Sequence, residues 1–263
     1  MLREFRCEWT RLMSRNYILG GIGLMAALGL IVTFIVFFTA TADSGVTMPG
    51  GPSVSVSTLE APDGMFAGLQ LASNMWGLVA LVVWAIFASS DYSTGLIRLL
   101  VQAQPNRLKL FGGKVVALVL FTCIATLATT LLVLIASPAV AGATGISAEA
   151  WRTDMAQTLL NGYLHLTLAA LMWGFIGLFV GVMTRSTGLS IAVGIGYLLV
   201  FEMVLTLLLD SGAKWLPGSS FGTVAAGGTH DMSFATGLMV AVGYVVVTLV
   251  IATVTFRRRD ITA

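Results

Sequence analysis

Four polar side chains stand alone inside long apolar runs of this sequence, and two of them can exchange a proton. They are Asn74, Asn161, His165 and Glu202. An ionisable group at membrane depth is costly and often marks a pathway for ions or substrate. Asn74, His165 and Glu202 are therefore candidates for a translocation path. A structural hydrogen bond is the simpler interpretation of the Asn and His residues, whereas for Glu202 a structural and a functional role are equally open.

The residue sets of familiar catalysts are missing from the sequence. A phosphate-binding loop needs Gly, four residues and then Gly-Lys-Ser/Thr, but Gly112-Gly113-Lys114 is followed by Val115. A His-Glu-x-x-His motif does not occur, and Cys7 and Cys123 have no metal-ligating residue at a suitable spacing. We expect no catalytic residue, no metal and no cofactor in this chain. The chain is predicted not to be an enzyme and not to hydrolyse ATP itself.

Six long apolar runs must position these residues. Of the 263 residues 57% are hydrophobic and only 10% are charged, against about 25% charged in a typical soluble domain. Each run is long enough to cross a hydrocarbon core of about 30 Å, and backbone groups in lipid must be satisfied within a helix. The sequence therefore predicts an all-α integral membrane protein with a single transmembrane domain. Its spans are expected at about 17–40, 68–88, 115–141, 159–183, 189–209 and 235–256.

Basic residues are concentrated on one side of this map. If the N-terminus is cytosolic, only Arg152 and Lys214 of the 14 Lys and Arg residues fall outside. Because cytosolic loops carry an excess of Lys and Arg, we predict cytosolic N- and C-termini and a multi-pass protein of the cell membrane. The residues predicted to be cytosolic are Arg3, Arg6, Arg11, Arg15, Arg98, Arg107, Lys109, Lys114, Arg185, Arg257, Arg258 and Arg259.

Two polar segments outside the spans have an amphipathic character. Residues 1–16 carry apolar side chains near helical spacing with Arg residues between them, which is typical of a basic helix lying in the membrane interface. A simple topogenic tail is the alternative. Residues 210–234 contain a semi-apolar stretch from Trp215 that is too short to span, so we expect a re-entrant or interfacial element on the outer side, packed against protein.

The segment 89–113 is the one large connection predicted on the cytosolic side. Ser90 and Asp91 are suited to cap a helix, and an apolar stripe follows at Tyr92, Leu96, Leu99 and Leu100. Pro105 ends the pattern. The sequence predicts a short amphipathic helix over 89–101 at the cytosolic surface, where a partner would dock. An interfacial loop without a partner is the alternative.

The layout resembles a known family, the ABC-2 type permeases of ABC exporters. The coupling segment of that family is similar to Asp91, Gly95, Arg98, Pro105-Asn106-Arg107 and Gly113-Lys114 here, although Leu96 stands where Thr is frequent and Asp91 where Glu is usual. Trp215-Leu216-Pro217 resembles the outer segment before the last span of the family. The ending Phe256–Asp260 resembles its C-terminal tail. The likeness covers the whole chain, although none of its motifs is specific alone.

The resemblance implies a type V exporter-like fold, a bacterial inner-membrane location and two kinds of protein partner. A cytosolic ATPase subunit would hold the ATP, and a second permease copy or homologue would complete the path within membrane lipid; no nucleic acid is involved. Cargo in such systems includes antibiotics, peptides, drugs and lipids. The implied ATPase-coupling residues are Asp91, Tyr92, Gly95, Leu96, Arg98, Leu99 and Arg107. The alternatives are a stand-alone secondary transporter using Glu202 and, with least support, a membrane-embedded enzyme.

Overall fold

The computed structural model describes residues 2–40, 46–47, 53–104 and 106–258. The predictions that involve Pro105 and the tail residues Arg259 and Asp260 lie outside the described residues. Eleven α-helices are found in the described part of the chain: α1 Leu2–Leu12, α2 Arg15–Thr39, α3 Val56–Glu60, α4 Ala67–Leu71, α5 Ser73–Ser93, α6 Leu96–Ala103, α7 Arg107–Thr144, α8 Met155–Thr184, α9 Thr187–Leu209, α10 Pro217–Ala225 and α11 Phe234–Arg258.

Six of these helices, α2, α5, α7, α8, α9 and α11, are long and apolar enough to cross a membrane. The prediction of six apolar spanning helices is therefore confirmed over the described residues, and the protein is an all-α multi-pass membrane protein. Between α2 and α3, a two-residue strand at Val46–Thr47 (β1) pairs antiparallel with Ser53–Val54 (β2). Short 3₁₀ turns at Gly64–Phe66, Glu149–Arg152 and Asp210–Trp215 complete the connections.

Several helix ends differ from the predicted span limits. The second span begins at Ser73 and not at 68, because residues 67–71 form the separate buried helix α4. Helix α7 runs from Arg107 to Thr144, well beyond the predicted 115–141. The N-terminal helix stops at Leu12, and α2 begins after an extended residue, Ser14. Apolar length alone sets the part of a helix that lies in lipid, whereas turns and caps set where the helix ends.

The core of the bundle is the close contact between α5 and α8. A methyl group at Gly177 would overlap the carbonyl group of Leu81, and one at Gly181 would overlap that of Ala85. On the other helix, Gly77 makes room for the indole of Trp173. The Gly177-x-x-x-Gly181 spacing permits such close packing, and α5 approaches α8 at both glycines.

Contacts between distant segments define two ends of the bundle. At one end, Arg107 Nη1 donates a hydrogen bond to the carbonyl of Arg257 at 3.2 Å, and the guanidinium of Arg185 lies over the Tyr92 ring at 5.3 Å. We call this the terminal end, since α1 and the end of α11 lie here. At the opposite end, Trp151 Nε1 donates to the carbonyl of Leu59 at 2.8 Å. The terminal end is the side predicted to be cytosolic.

Candidate functional site

Four charged side chains meet at the terminal end, and we refer to Glu8, Arg11, Asp91 and Lys114 as the charge cluster. Lys114 Nζ lies 2.5 Å from Asp91 Oδ2 and 3.7 Å from Glu8 Oε1. Arg11 bonds to Asp91 Oδ1 at 2.7 Å and to Glu8 Oε2 at 3.0 Å. Two acids and two bases thus alternate in a closed, electrically neutral arrangement.

The charge cluster is buried, which makes its pairing obligatory. Glu8 and Asp91 are each 1% exposed and Lys114 is 4% exposed. The ring of Phe87 lies beneath both cations, 4.4 Å from Lys114 Nζ and 5.0 Å from the Arg11 guanidinium carbon. Burial opposes the charge on Arg11, but Asp91 and Glu8 outweigh it and raise the pKa of Arg11 above its ordinary value. Removing one partner would leave an uncompensated buried charge.

The charge cluster fixes α1 against the membrane-spanning helices. Glu8 and Arg11 are on α1, Asp91 is near the end of α5 and Lys114 is in α7. Gln104, just after α6, donates a hydrogen bond to Glu4 on α1. A methyl group at Gly113 would lie 2.9 Å from Glu4 Cβ, so glycine is what allows this approach. Helix α1 therefore turns acidic as well as apolar side chains towards the protein, which its basic amphipathic pattern does not predict.

Helix α6 is the element predicted as the coupling helix, and it begins later than predicted. Helix α5 continues to Ser93, and Gly95 takes a left-handed conformation with φ 71° before α6 starts at Leu96. Such a conformation favours glycine. Ser90 and Asp91 therefore lie inside the last turns of α5 and do not cap a helix, so that prediction is wrong. The predicted end at residue 101 is close to the observed end at Ala103.

The exposed face of α6 also differs from the predicted stripe. Ile97 is buried and Leu100 packs against the core, whereas Leu99 is 63% exposed. The stripe counted from Tyr92 is wrong because Tyr92 is on α5, and the break at Gly95 resets the helical phase. Leu99 and Arg98 thus face outwards and Leu96 is half-buried. A short helix presents an apolar side chain at the terminal end.

The other predicted coupling residues have separate positions. Tyr92 is half-buried beneath Arg185, from the turn between α8 and α9. Arg107 bonds to the end of α11. Ser93 Oγ lies 3.2 Å from Thr187 Oγ1 at the start of α9. The segment around α6 is therefore connected to α1, α7, α9 and α11, while Asp91 itself is too buried to touch a partner.

Within the membrane-spanning part, Glu202 is bonded to α10. Its Oε1 accepts a hydrogen bond from the N–H of Gly218 at 2.5 Å, in the first turn of a helix that begins at Pro217. An anion is stabilised at a helix N-terminus. Glu202 is 8% exposed, and its Oε2 has no hydrogen-bond partner among the described residues. Helix α10 is itself mostly buried against α8 and α11, as a short segment at membrane depth requires.

The three candidates for a translocation path do not form one site. Asn74 and Glu202 both line a cavity of about 490 Å³ beside α10. His165 lies instead against Gly227, past the other end of α10, with its ring 4.6 Å from that of Phe234. Gly218 and Gly227 are nine residues apart, which along a helix is about 13 Å. The structure thus brings Asn74 and Glu202 together and separates them from His165.

Three members of the charge cluster, Glu8, Arg11 and Lys114, are not predicted as site residues from the sequence; only Asp91 is. Lys114 falls next to the predicted start of the third span, and Glu8 lies among the Arg residues of α1. An acid on the apolar face of an amphipathic helix and a base at the edge of an apolar run both need a partner when buried. That requirement is the signal by which they could have been paired.

The fold and the buried charges define a multi-pass membrane protein whose helices are held together at the terminal end by buried ion pairs. Residues 27–262 match a family described as protein of unknown function (DUF2705). The chain belongs to this family. No curated protein matches the chain.

Proposed function

We propose that the protein is the membrane-spanning permease subunit of an ATP-driven ABC exporter of the ABC-2 type. The observation that carries this proposal is α6, a short helix at the terminal end with Leu99 exposed and its neighbours Ile97 and Leu100 turned inwards. An exposed apolar side chain on a fixed helix is suited to insert into a cleft on another protein. The partner is a cytosolic ATPase, and the chain resides in the inner membrane of a bacterium.

The contacts around α6 support a role in transmitting force. Helix α6 is connected to α5 by the short linker at Gly95 and to α1 by the hydrogen bond between Gln104 and Glu4, so a displacement of α6 would move both helices. From α1 and α5 it passes into α7 through the charge cluster, because Lys114 and Asp91 are held at 2.5 Å. Buried ion pairs with fixed geometry resist separation. A conformational change in the ATPase would therefore move several helices together.

One feature of the sequence supports a division of the exporter into two chains. The segment most similar to a phosphate-binding loop, Gly112-Gly113-Lys114, lies within helix α7 and is followed by Val115. Such a loop needs a Gly-rich turn followed by Lys and Ser or Thr. In the proposed complex ATP is bound and hydrolysed by the separate subunit. A second permease copy or homologue completes the path for a cargo such as an antibiotic, peptide, drug or lipid.

Co-purification tests this proposal. The full chain purified from native membranes should carry an ATPase with a phosphate-binding loop, and Leu99→Glu should remove that ATPase while the permease remains folded. Leu108→Glu is the matched control, since Leu108 is exposed near the same end but lies outside α6. A purification that never carries such an ATPase, or loss of the ATPase in both variants alike, would contradict the proposal.

A stand-alone secondary transporter is the second candidate, and the buried carboxyl of Glu202 favours it. Carboxyl groups at membrane depth serve as proton sites in such transporters. In that case the lone chain in proteoliposomes would drive transport with a proton gradient, and Glu202→Gln would abolish it. The permease proposal expects no transport from the lone chain.

A further inference from the structure

The cavity beside α10 is lined by both polar groups and apolar side chains. Asn74, Thr206, Ser219 and Glu202 supply polar groups, while Trp173 and side chains of α9 such as Met203 supply the apolar wall. Its volume of about 490 Å³ lies within the range of small-molecule sites, about 300–1,000 Å³. An apolar pocket with a few convergent polar groups is the usual form of a ligand site.

The negative charge of Glu202 is only partly compensated by the described residues around it. Among the described residues, no Lys, Arg or His side chain forms an ion pair with it. The first turn of α10 directs the backbone N–H groups of Gly218 and Ser219 at the carboxyl group and, as a helix N-terminus, is equivalent to roughly half a positive charge. Oε2 is buried without a hydrogen-bond partner. A buried carboxylate in this state is stabilised either by taking up a proton or by a further positive group that donates hydrogen bonds.

A second cavity extends the first along the bundle. It is a groove of about 710 Å³ between α2, α5 and α9, and its walls are almost entirely apolar. The two cavities share Leu199, and Met75 in the groove is next to Asn74 in the cavity. A molecule with its polar end at Glu202 could therefore lay an apolar chain along the groove.

We propose that the cavity binds an amphiphile whose polar end is a protonated amine bearing N–H groups. The ammonium donates hydrogen bonds to the carboxylate of Glu202 and to the side-chain oxygen of Asn74, and the apolar chain lies in the groove past Leu199. This inference rests on the permease function proposed above, of whose path the cavity would be part. The same chemistry occurs in a free long-chain amine and in the headgroup of phosphatidylethanolamine. A proton alone would neutralise Glu202 but would need neither cavity nor groove.

Binding to the lone chain tests the proposal without any ATPase. The protein is placed in nanodiscs of phosphatidylcholine, whose trimethylammonium group has no N–H, and dodecylamine and dodecanol are titrated by calorimetry against empty nanodiscs. We expect the amine to bind about tenfold more tightly than the alcohol, as a hydrogen bond to a charged group implies. Glu202→Gln should remove this preference, because the amide carries no negative charge. Its oxygen can still accept the Gly218 N–H, so α10 should stay in place.

A second pair of variants tests the site independently of Glu202 and distinguishes a blocked cavity from a misfolded protein. Leu199→Trp should block the junction of the two cavities and weaken amine binding, whereas Val200→Trp, at an exposed neighbour that lines neither cavity, should not. Equal affinity for amine and alcohol, or an amine preference that survives in Glu202→Gln, would overturn the proposal. If phosphatidylethanolamine in the nanodisc competes with dodecylamine, the bilayer is the source of the amine; without competition, a free amine is the ligand.

The outcomes separate this inference from the permease function. An amine preference without any co-purifying ATPase would support the site and contradict the exporter. An ATPase that co-purifies with a chain showing no amine preference would support the exporter and overturn the proposed ligand.

Discussion

Lys114 Nζ lies 2.5 Å from Asp91 Oδ2, joining the start of one membrane-spanning helix to the end of another at a depth where both side chains are buried. With Glu8 and Arg11 the pair forms a neutral group of four charges, and α1 supplies half of them. The N-terminal helix is therefore part of the folded bundle, held by specific partners and not only by affinity for the membrane surface.

Lys114→Met should strongly destabilise the protein. It removes one cation from beneath two buried acids, and breaking a buried pair in this way costs about 3–5 kcal/mol. Thermal unfolding in detergent measures the change. Lys109→Met, at an exposed position of the same helix, should have little effect, and equal stability of the two variants would show that the charge cluster does not stabilise the fold.

Gly177→Ala should destabilise the contact between α5 and α8. The added methyl group would overlap the carbonyl of Leu81, and overpacking of this kind costs about 1–3 kcal/mol. Gly142→Ala in α7 is the control, since a methyl group there meets no neighbouring atom and should even favour the helix. Unfolding by a denaturing detergent compares the two, and a Gly177→Ala protein as stable as wild type would contradict the predicted overlap.

Thr122→Val should weaken the core by about 1 kcal/mol. Trp84 Nε1 donates to Thr122 Oγ1 at 2.9 Å, and valine would leave this buried N–H without an acceptor. Thr129→Val is a close match, because Thr129 is also buried but bonds only within its own helix in the described structure. A larger loss of unfolding free energy for Thr122→Val is expected; the reverse order would refute the role of the indole bond.

Glu202→Leu should loosen the start of α10. Leucine cannot accept the N–H of Gly218, and loss of such a cap costs about 0.5–2 kcal/mol. Hydrogen exchange over residues 217–225 should become faster, while Glu202→Gln, which keeps an acceptor oxygen, should remain close to wild type. If Leu and Gln variants exchange at the same rate, the bond between Glu202 and Gly218 does not hold the helix.

Composition and apolar length are enough to predict six spanning helices, since these follow from local sequence alone. The partners of the polar residues are not local. From its sequence neighbours, Asp91 is predicted to cap a helix. In the structure its side chain bonds instead to Arg11 and Lys114, which are far away in the chain. Tyr92 and Leu99 do not share one helix face, because the left-handed Gly95 interrupts the helical period. The membership in the ABC-2 permeases and the docking of an ATPase stay predictions.

The glycine contacts between α5 and α8 also restrict how the protein can move. Where the carbonyls of Leu81 and Ala85 approach glycines without an intervening side chain, neither helix can slide or rotate against the other without a collision of main chains. These two helices therefore form a rigid body. A conformational change of the bundle therefore has to move the other spans around α5 and α8. Helix α9 is the first candidate, because little of its surface is buried.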